Sequence, residues 1–253
     1  MSGTTHVRFI VKRQDNPDAL PYTETFDIPY RPNMNVISGL MEIRKNPVTA
    51  DGKETTPVVW DMNCLEEVCG ACSMNINGYP QQSCAALVDD LDFPIRLEPM
   101  TSFPVVRDLI IDRGQMFESL KQVKAWIPID GTYDLGPGPR MPESKRQWAY
   151  ELSKCMTCGV CLEVCPNVND QSNFMGPAPA IQPRLFNAHP SGKMHKSDRL
   201  HGLMGEGGLQ DCGNSQNCVE SCPKGIPITT SIAALNRDMN IQMFRNFFGS
   251  DHG

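Results

Sequence analysis

Cys155-Met156-Thr157-Cys158-Gly159-Val160-Cys161-Leu162-Glu163-Val164-Cys165-Pro166 is the stretch from which the rest of this chain is read. Its four cysteines follow the bacterial C-x2-C-x2-C-x3-C-P run that ligates iron–sulfur clusters. Three closely spaced thiolates can face one cubane, while the fourth, followed by proline, turns away. Downstream, Cys212-x2-Ser215-x2-Cys218-x3-Cys222-Pro223 repeats the same frame with Ser215 where a cysteine belongs. Zinc fits badly, since it has no use for four cysteines in so short a run plus a second such group.

In proteins with two such runs the fourth cysteine of each ligates the other cluster. That rule assigns Cys155, Cys158, Cys161 and Cys222 to one cluster and Cys165, Cys212 and Cys218 to the other. A cubane corner without a thiolate loses its iron readily, so the expectation is one [4Fe–4S] and one [3Fe–4S] cluster. The alternative is a fourth iron held by the Ser215 hydroxyl. Upstream, Cys64-x4-Cys69-x2-Cys72, with Cys84 after eleven intervening residues, has the plant-type [2Fe–2S] spacing. Zinc in that place would usually take a pair of C-x2-C knuckles, and only one is present. Gly70 and Ala71 are small enough to let backbone N–H groups approach the sulfurs and tune a cluster there. Ligand sets of four, four and three use all eleven cysteines of the chain.

The remaining composition narrows the class. Clustering in three groups argues against scattered buried thiols, and the odd count argues against a disulfide framework. With 23 Lys+Arg against 29 Asp+Glu the net charge is −6, and no block of like charge suits a nucleic-acid backbone. No nucleic acid is expected as a partner. No apolar run approaches the ~18 residues of a membrane span. The first residues, Met1 to Arg8, carry neither an apolar export core nor twin arginines, so a cytoplasmic protein is expected.

Around the cysteines, the first hundred residues read as β-rich with one helix. Strands are expected at His6–Lys12, Glu24–Ile28 and Ile95–Leu97, a hairpin at Ser73–Ile76 turned by Asn77-Gly78, and a helix at Asn35–Ile43 closed by Pro47. Val105 to Trp126 reads as helical, Gly131–Pro142 as an irregular connector, and about 143–154 and 226–247 as helices. The expected fold is α+β: an N-terminal β-grasp, plant-type ferredoxin-like domain over residues 1–107. A mostly helical domain resembling bacterial two-cluster ferredoxins follows over 108–253.

In combination, Asn63–Cys72, Cys155–Cys161 and Asn217–Gly225 resemble the iron–sulfur subunit of succinate dehydrogenase and fumarate reductase over nearly the whole chain. In detail the chain is most similar to menaquinone-linked succinate dehydrogenases whose membrane anchor is a single di-haem cytochrome b. The resemblance implies a relay on the cytoplasmic side of the membrane, with the chain held peripherally. A flavoprotein subunit with FAD would oxidise succinate, and a membrane subunit with haem b would reduce menaquinone. Fumarate reductase shares every cluster motif, and a multi-cluster ferredoxin serving another dehydrogenase is a further reading. Ubiquinone-type relatives place a tryptophan four residues after the cluster proline and a histidine after the first cysteine of the third group. Here Asp170 and Gly213 stand there, so only Pro166 and Ser215 remain as candidates beside the last cluster and its quinone.

Other residues read blandly. No G-x-G-x-x-G follows a strand, and Gly202–Gly208 reads as a loop. No catalytic residue is expected on this chain. His189, His195 and His201 read as surface or hydrogen-bonded side chains. Glu66 and Glu67 read as a solvated face, and the three tryptophans as core or interface anchors. Leu235, Met239, Met243 and Phe247 repeat every four residues, a helix packing on its own domain or in part facing the membrane subunit.

Overall fold

The computed structural model describes residues 5–128 and 140–248. In chain order the first elements are β1 (His6–Arg13), β2 (Tyr22–Pro29), α1 (Val36–Lys45), β3 (Ser73–Ile76), β4 (Tyr79–Gln82), β5 (Ile95–Glu98), β6 (Val105–Arg107) and β7 (Ile110–Ile111). They are followed by α2 (Gly114–Gln122), α3 (Glu143–Ser153), α4 (Val160–Glu163), α5 (Ala178–Ala188), α6 (Lys196–Met204), α7 (Asn217–Glu220) and α8 (Ile228–Phe248). Two compact units result. One comprises Met1–Arg113 and the returning segment Met156–Glu163, the other Gly114–Cys155 and Val164–Gly253.

In the first unit five strands form a mixed sheet in the order β2-β1-β5-β3-β4, with β1 and β5 parallel and the other pairs antiparallel. The alternating apolar residues of β1, Val7, Phe9 and Val11, point into a core shared with Val36, Ile37, Leu40 and Ile43 of α1. Gly39 lets α1 lie close, because a Cβ there would meet Phe9 Cζ at 2.6 Å. Asn35 caps α1 by accepting from Ser38 N at 2.9 Å, a contact worth ~1 kcal/mol. The β3–β4 turn has Asn77 and Gly78 both at positive φ, as a tight two-residue hairpin needs.

The helix expected from Val105 is corrected at its first half. Val105–Ile111 is a two-stranded hairpin, and the helix starts only at Gly114. The β-branched residues there favour strands, and Asp108 at the turn has left-handed backbone. Its buried carboxylate accepts from Arg13 Nε, Gln14 N and Val59 N at 2.8, 3.2 and 2.9 Å. Those distant partners fix the turn.

The second unit is helical. Helix α5 lies where periodicity gives little signal, because Pro183 stands inside it and Pro179 in its first turn. Gly202–Met204, expected as loop, is the last turn of α6, leaving Gly205–Gly208 irregular. Gly202 is required there, since a Cβ would meet Gln122 O at 2.6 Å. Arg199, fully buried, donates to the carbonyls of Lys124, Trp126 and Gly192 and to Asn187 Oδ1. The four-residue repeat of α8 is divided: Leu235 and Met239 are buried, whereas Met243 and Phe247 are exposed. The connector expected at 131–142 falls almost wholly outside the described residues. Among the described residues no helix is long and apolar enough to cross a membrane.

Candidate iron–sulfur centres

The first cysteine group lies on the irregular loop ahead of β3. Cys72 immediately precedes β3 and Cys84 follows β4, so the hairpin returns the fourth thiol to the loop that carries the other three. Ser83 Oγ donates to Cys72 O at 2.8 Å, which joins the two ends of the hairpin, and Asn35 Nδ2 donates to Cys84 O at 2.8 Å, which ties Cys84 to the start of α1. Leu65, Glu67 and Gly70 take positive φ, which turns successive N–H groups inward. Cys64 Sγ accepts from the backbone N–H of Glu66, Val68 and Cys69 at 3.3–3.4 Å. Cys69 Sγ accepts from Cys64 N and Ala71 N, and Cys84 Sγ from Glu67 N.

Such a cradle of donors suits sulfur that carries negative charge. The Glu66 and Val68 N–H groups lower the Cys64 thiol to about 7, whereas burial pushes Cys72 up to about 12. Coordination to iron removes the proton from a thiol outright, so a buried thiol of this kind is suited to a metal partner. The expected roles of Gly70 and Ala71 divide. Ala71 does donate to sulfur, but Gly70 serves to let chain approach chain: a Cβ there would lie 2.6 Å from Cys158 Cβ. The main N–H donors come from Glu66, Glu67 and Val68, which side-chain chemistry does not single out.

The second and third groups share one loop conformation. Thr157 and Gly159, two and four residues after Cys155, have positive φ; so do Asn214 and Gln216, two and four residues after Cys212. A single helical turn follows each loop, α4 and α7. Cys158 and Cys161 belong to the first unit, where Glu163 anchors their segment: its Oε1 accepts from Thr101 N, Thr101 Oγ1 and Asn75 Nδ2, and its Oε2 from Ser102 N, all at 2.7–2.9 Å. Burial raises the Glu163 pKa, but these donors outweigh it and hold the carboxyl below its ordinary value. Cys155 and Cys222 belong to the second unit.

Within the second unit one small cavity is lined by Cys165, Cys212, Cys218 and Ser215. Asn167 Nδ2 donates to Asp211 O at 2.9 Å and Asn217 Nδ2 to Val164 O at 3.1 Å, which fastens the chain around Cys165 to the third group. Burial raises the Cys165 and Cys218 thiols, the latter to about 11. Pro166 is exposed, and its carbonyl accepts from Asn169 Nδ2. A groove of about 530 Å³, lined by Met204, Leu209, Cys212, Met239, Asn240 and Met243, opens on Cys212. No sequence motif announces it. Among the described residues no three His, Cys, Asp or Glu side chains converge on one ion. Iron–sulfur clusters of these classes do not require three thiolates at one iron.

Residues 8–118 match the model of the 2Fe-2S iron-sulfur cluster binding domain, and residues 151–226 that of the 4Fe-4S dicluster domain. The chain is 75% identical over 251 residues to the succinate dehydrogenase iron-sulfur subunit of Bacillus subtilis, covering 99% of each chain. It belongs to the iron–sulfur subunits of the succinate dehydrogenase and fumarate reductase family. It is also 29% identical over 222 residues to the fumarate reductase iron-sulfur subunit of Wolinella succinogenes, covering 87% of this chain and 90% of that one. The solved Mycobacterium smegmatis Sdh1 complex in the apo form contains a chain with a TM-score of 0.74 and 25% identity, covering 96% of this chain and 98% of that chain. As a member of this family the chain is an electron-transfer component of a larger oxidoreductase complex and holds no substrate chemistry itself. The expected fold is borne out: a β-rich 2Fe-2S ferredoxin-like domain followed by a helical domain for 4Fe-4S clusters.

The other side chains keep ordinary roles. His189 Nδ1 accepts from Ser191 N and Gly192 N, His195 lies 3.7 Å from Asp198, and His201 meets Asn246 Nδ2 at 2.9 Å. Trp60 is in the core, Trp148 stacks under Arg184 at 4.5 Å, and Trp126 is half exposed.

Proposed function

We propose that this subunit serves a succinate:menaquinone oxidoreductase, the respiratory complex II of the tricarboxylic acid cycle, at the cytoplasmic face of the membrane. Its partners are a flavoprotein with covalent FAD and a membrane cytochrome b of the di-haem type. When bound, the clusters supply one-electron relay from flavin to menaquinone. Cys64, Cys69, Cys72 and Cys84 hold [2Fe–2S]; Cys155, Cys158, Cys161 and Cys222 hold [4Fe–4S]; Cys165, Cys212 and Cys218 hold [3Fe–4S]. The loops present the thiolates, and their N–H groups stabilise the charge on sulfur. Ser215 and the groove beside Cys212, where Met204, Leu209, Met239 and Met243 alternate with Gln210, Asn236 and Asn240, flank the last centre, a mixed apolar and polar surface suited to a quinone ring and its carbonyls.

The observation that carries the direction is the 75% identity to a subunit named for succinate dehydrogenase, against 26–30% for those named for fumarate reductase. Rates measured both ways on the purified complex test it. Succinate oxidation with a menaquinone analogue is expected to exceed fumarate reduction, and a fumarate rate that dominates would assign the reverse enzyme.

A further inference from the structure

We propose that Arg113 is a fixed positive charge shared by the first two centres, and that it raises the reduction potential of each. The inference rests on the ligand sets proposed above. Arg113 follows β7 and returns to the first cysteine loop, where its Nη2 donates to Ala71 O at 3.0 Å, between Cys69 and Cys72. At that point Gly70 touches Cys158 of the returning segment, so the guanidinium lies where two thiol groups of one unit meet.

Its surroundings leave the charge poorly compensated by ordinary partners. The side chain is 14% exposed, and Asp61, a carboxylate paired with it, is 41% exposed and 3.7 Å from Nη1. A pair that open to water gives little. The buried Nε has no hydrogen-bond partner. Burial disfavours its charge, and Asp61, Cys158, Cys72 and Cys69 lie near enough for theirs to favour it. Arginine does not lose its proton in proteins, so compensation comes from anions placed near it. Four thiolates outweigh the charge of two ferric ions and the bridging sulfides, and each electron accepted adds one further negative charge. A buried cation therefore favours the reduced form of whichever cluster it faces, and this one faces two.

The test is an EPR-monitored redox titration of the intact, detergent-extracted complex carrying R113Q, R113K or D61N. In R113Q the ratio of reduced to oxidised cluster at a fixed ambient potential should fall about tenfold for both the [2Fe–2S] and the [4Fe–4S] centre, which is about 59 mV for a one-electron couple. The [3Fe–4S] couple should stay in place. R113K, which keeps the charge, should recover more than half of the shift. D61N, which removes an opposing charge, should move both couples the other way, by about twofold in that ratio. If R113Q fails to load its clusters, D61N and R113K decide. Couples unmoved in both R113Q and D61N, or a shift confined to one centre, would overturn the proposal. A wild-type complex lacking these EPR signals would instead overturn the ligand assignment on which it rests.

Discussion

Gly70 and Cys158 are in direct contact: a Cβ placed on Gly70 would lie 2.6 Å from Cys158 Cβ and 2.8 Å from its Cα. The loop of the first thiol group thus meets the second with only a hydrogen atom in between, and Gly70 also takes φ +71, where an L side chain is strained. Gly78 has a similar φ of +80 but nothing within 4 Å. The two glycines separate backbone strain from chain approach. G78A should cost about 1–2 kcal/mol. G70A should cost about 2–5 kcal/mol, because strain and overpacking add, and it should also perturb the [2Fe–2S] spectrum. Apparent Tm and visible circular dichroism of the two purified variants check this, and equal effects would remove the special role of Gly70.

Glu163 fastens the segment of Cys158 and Cys161 to the β-rich unit through four donors, two of them the N–H groups of Thr101 and Ser102. In E163Q an amide NH2 must face one of these donors. A loss of about 1–3 kcal/mol is expected, with lower [4Fe–4S] occupancy by iron and sulfide analysis and the [2Fe–2S] content unchanged. A variant as stable and as fully loaded as wild type would contradict the anchoring role.

Ser215 occupies the position of the missing thiol in the cavity with Cys165, Cys212 and Cys218. S215C should supply a fourth ligand and convert the centre to [4Fe–4S], abolishing the [3Fe–4S] EPR signal of the oxidised complex. Persistence of that signal at full intensity would show that the fourth corner is set by something other than this residue.

The last two turns of α8 expose Met243, Phe244, Phe247 and Phe248. Replacing Phe244 and Phe247 by serine should leave the stability of the chain within about 0.5 kcal/mol for each site. The same change should reduce the amount of this subunit retained with the membrane fraction. Unchanged retention would place the membrane contact elsewhere.

What the sequence disclosed follows from the range of the forces involved. Spacing alone announced the eleven thiols, and the Asn77-Gly78 turn and the amphipathic α1 were legible because their signals are local. The hairpin at Val105–Ile111 was not, since its turn is held by Arg13 and Val59, far away in the chain. Helix α5 was hidden by its prolines, which its packed environment tolerates. The same limit applies at the centres. Arg113 reaches Ala71 across 42 positions of sequence, and the sulfurs are bonded by backbone N–H groups that carry no residue signature.

The central claim is that eleven thiols hold three different clusters that accept electrons from succinate. Low-temperature EPR of the native detergent-extracted complex, recorded as isolated and again after adding succinate, tests it most directly. A [3Fe–4S] signal as isolated, diminished by succinate as a reduced [2Fe–2S] signal rises, is the predicted result. Three clusters that do not respond to succinate would contradict the donor, and the absence of a [3Fe–4S] signal would contradict the ligand count.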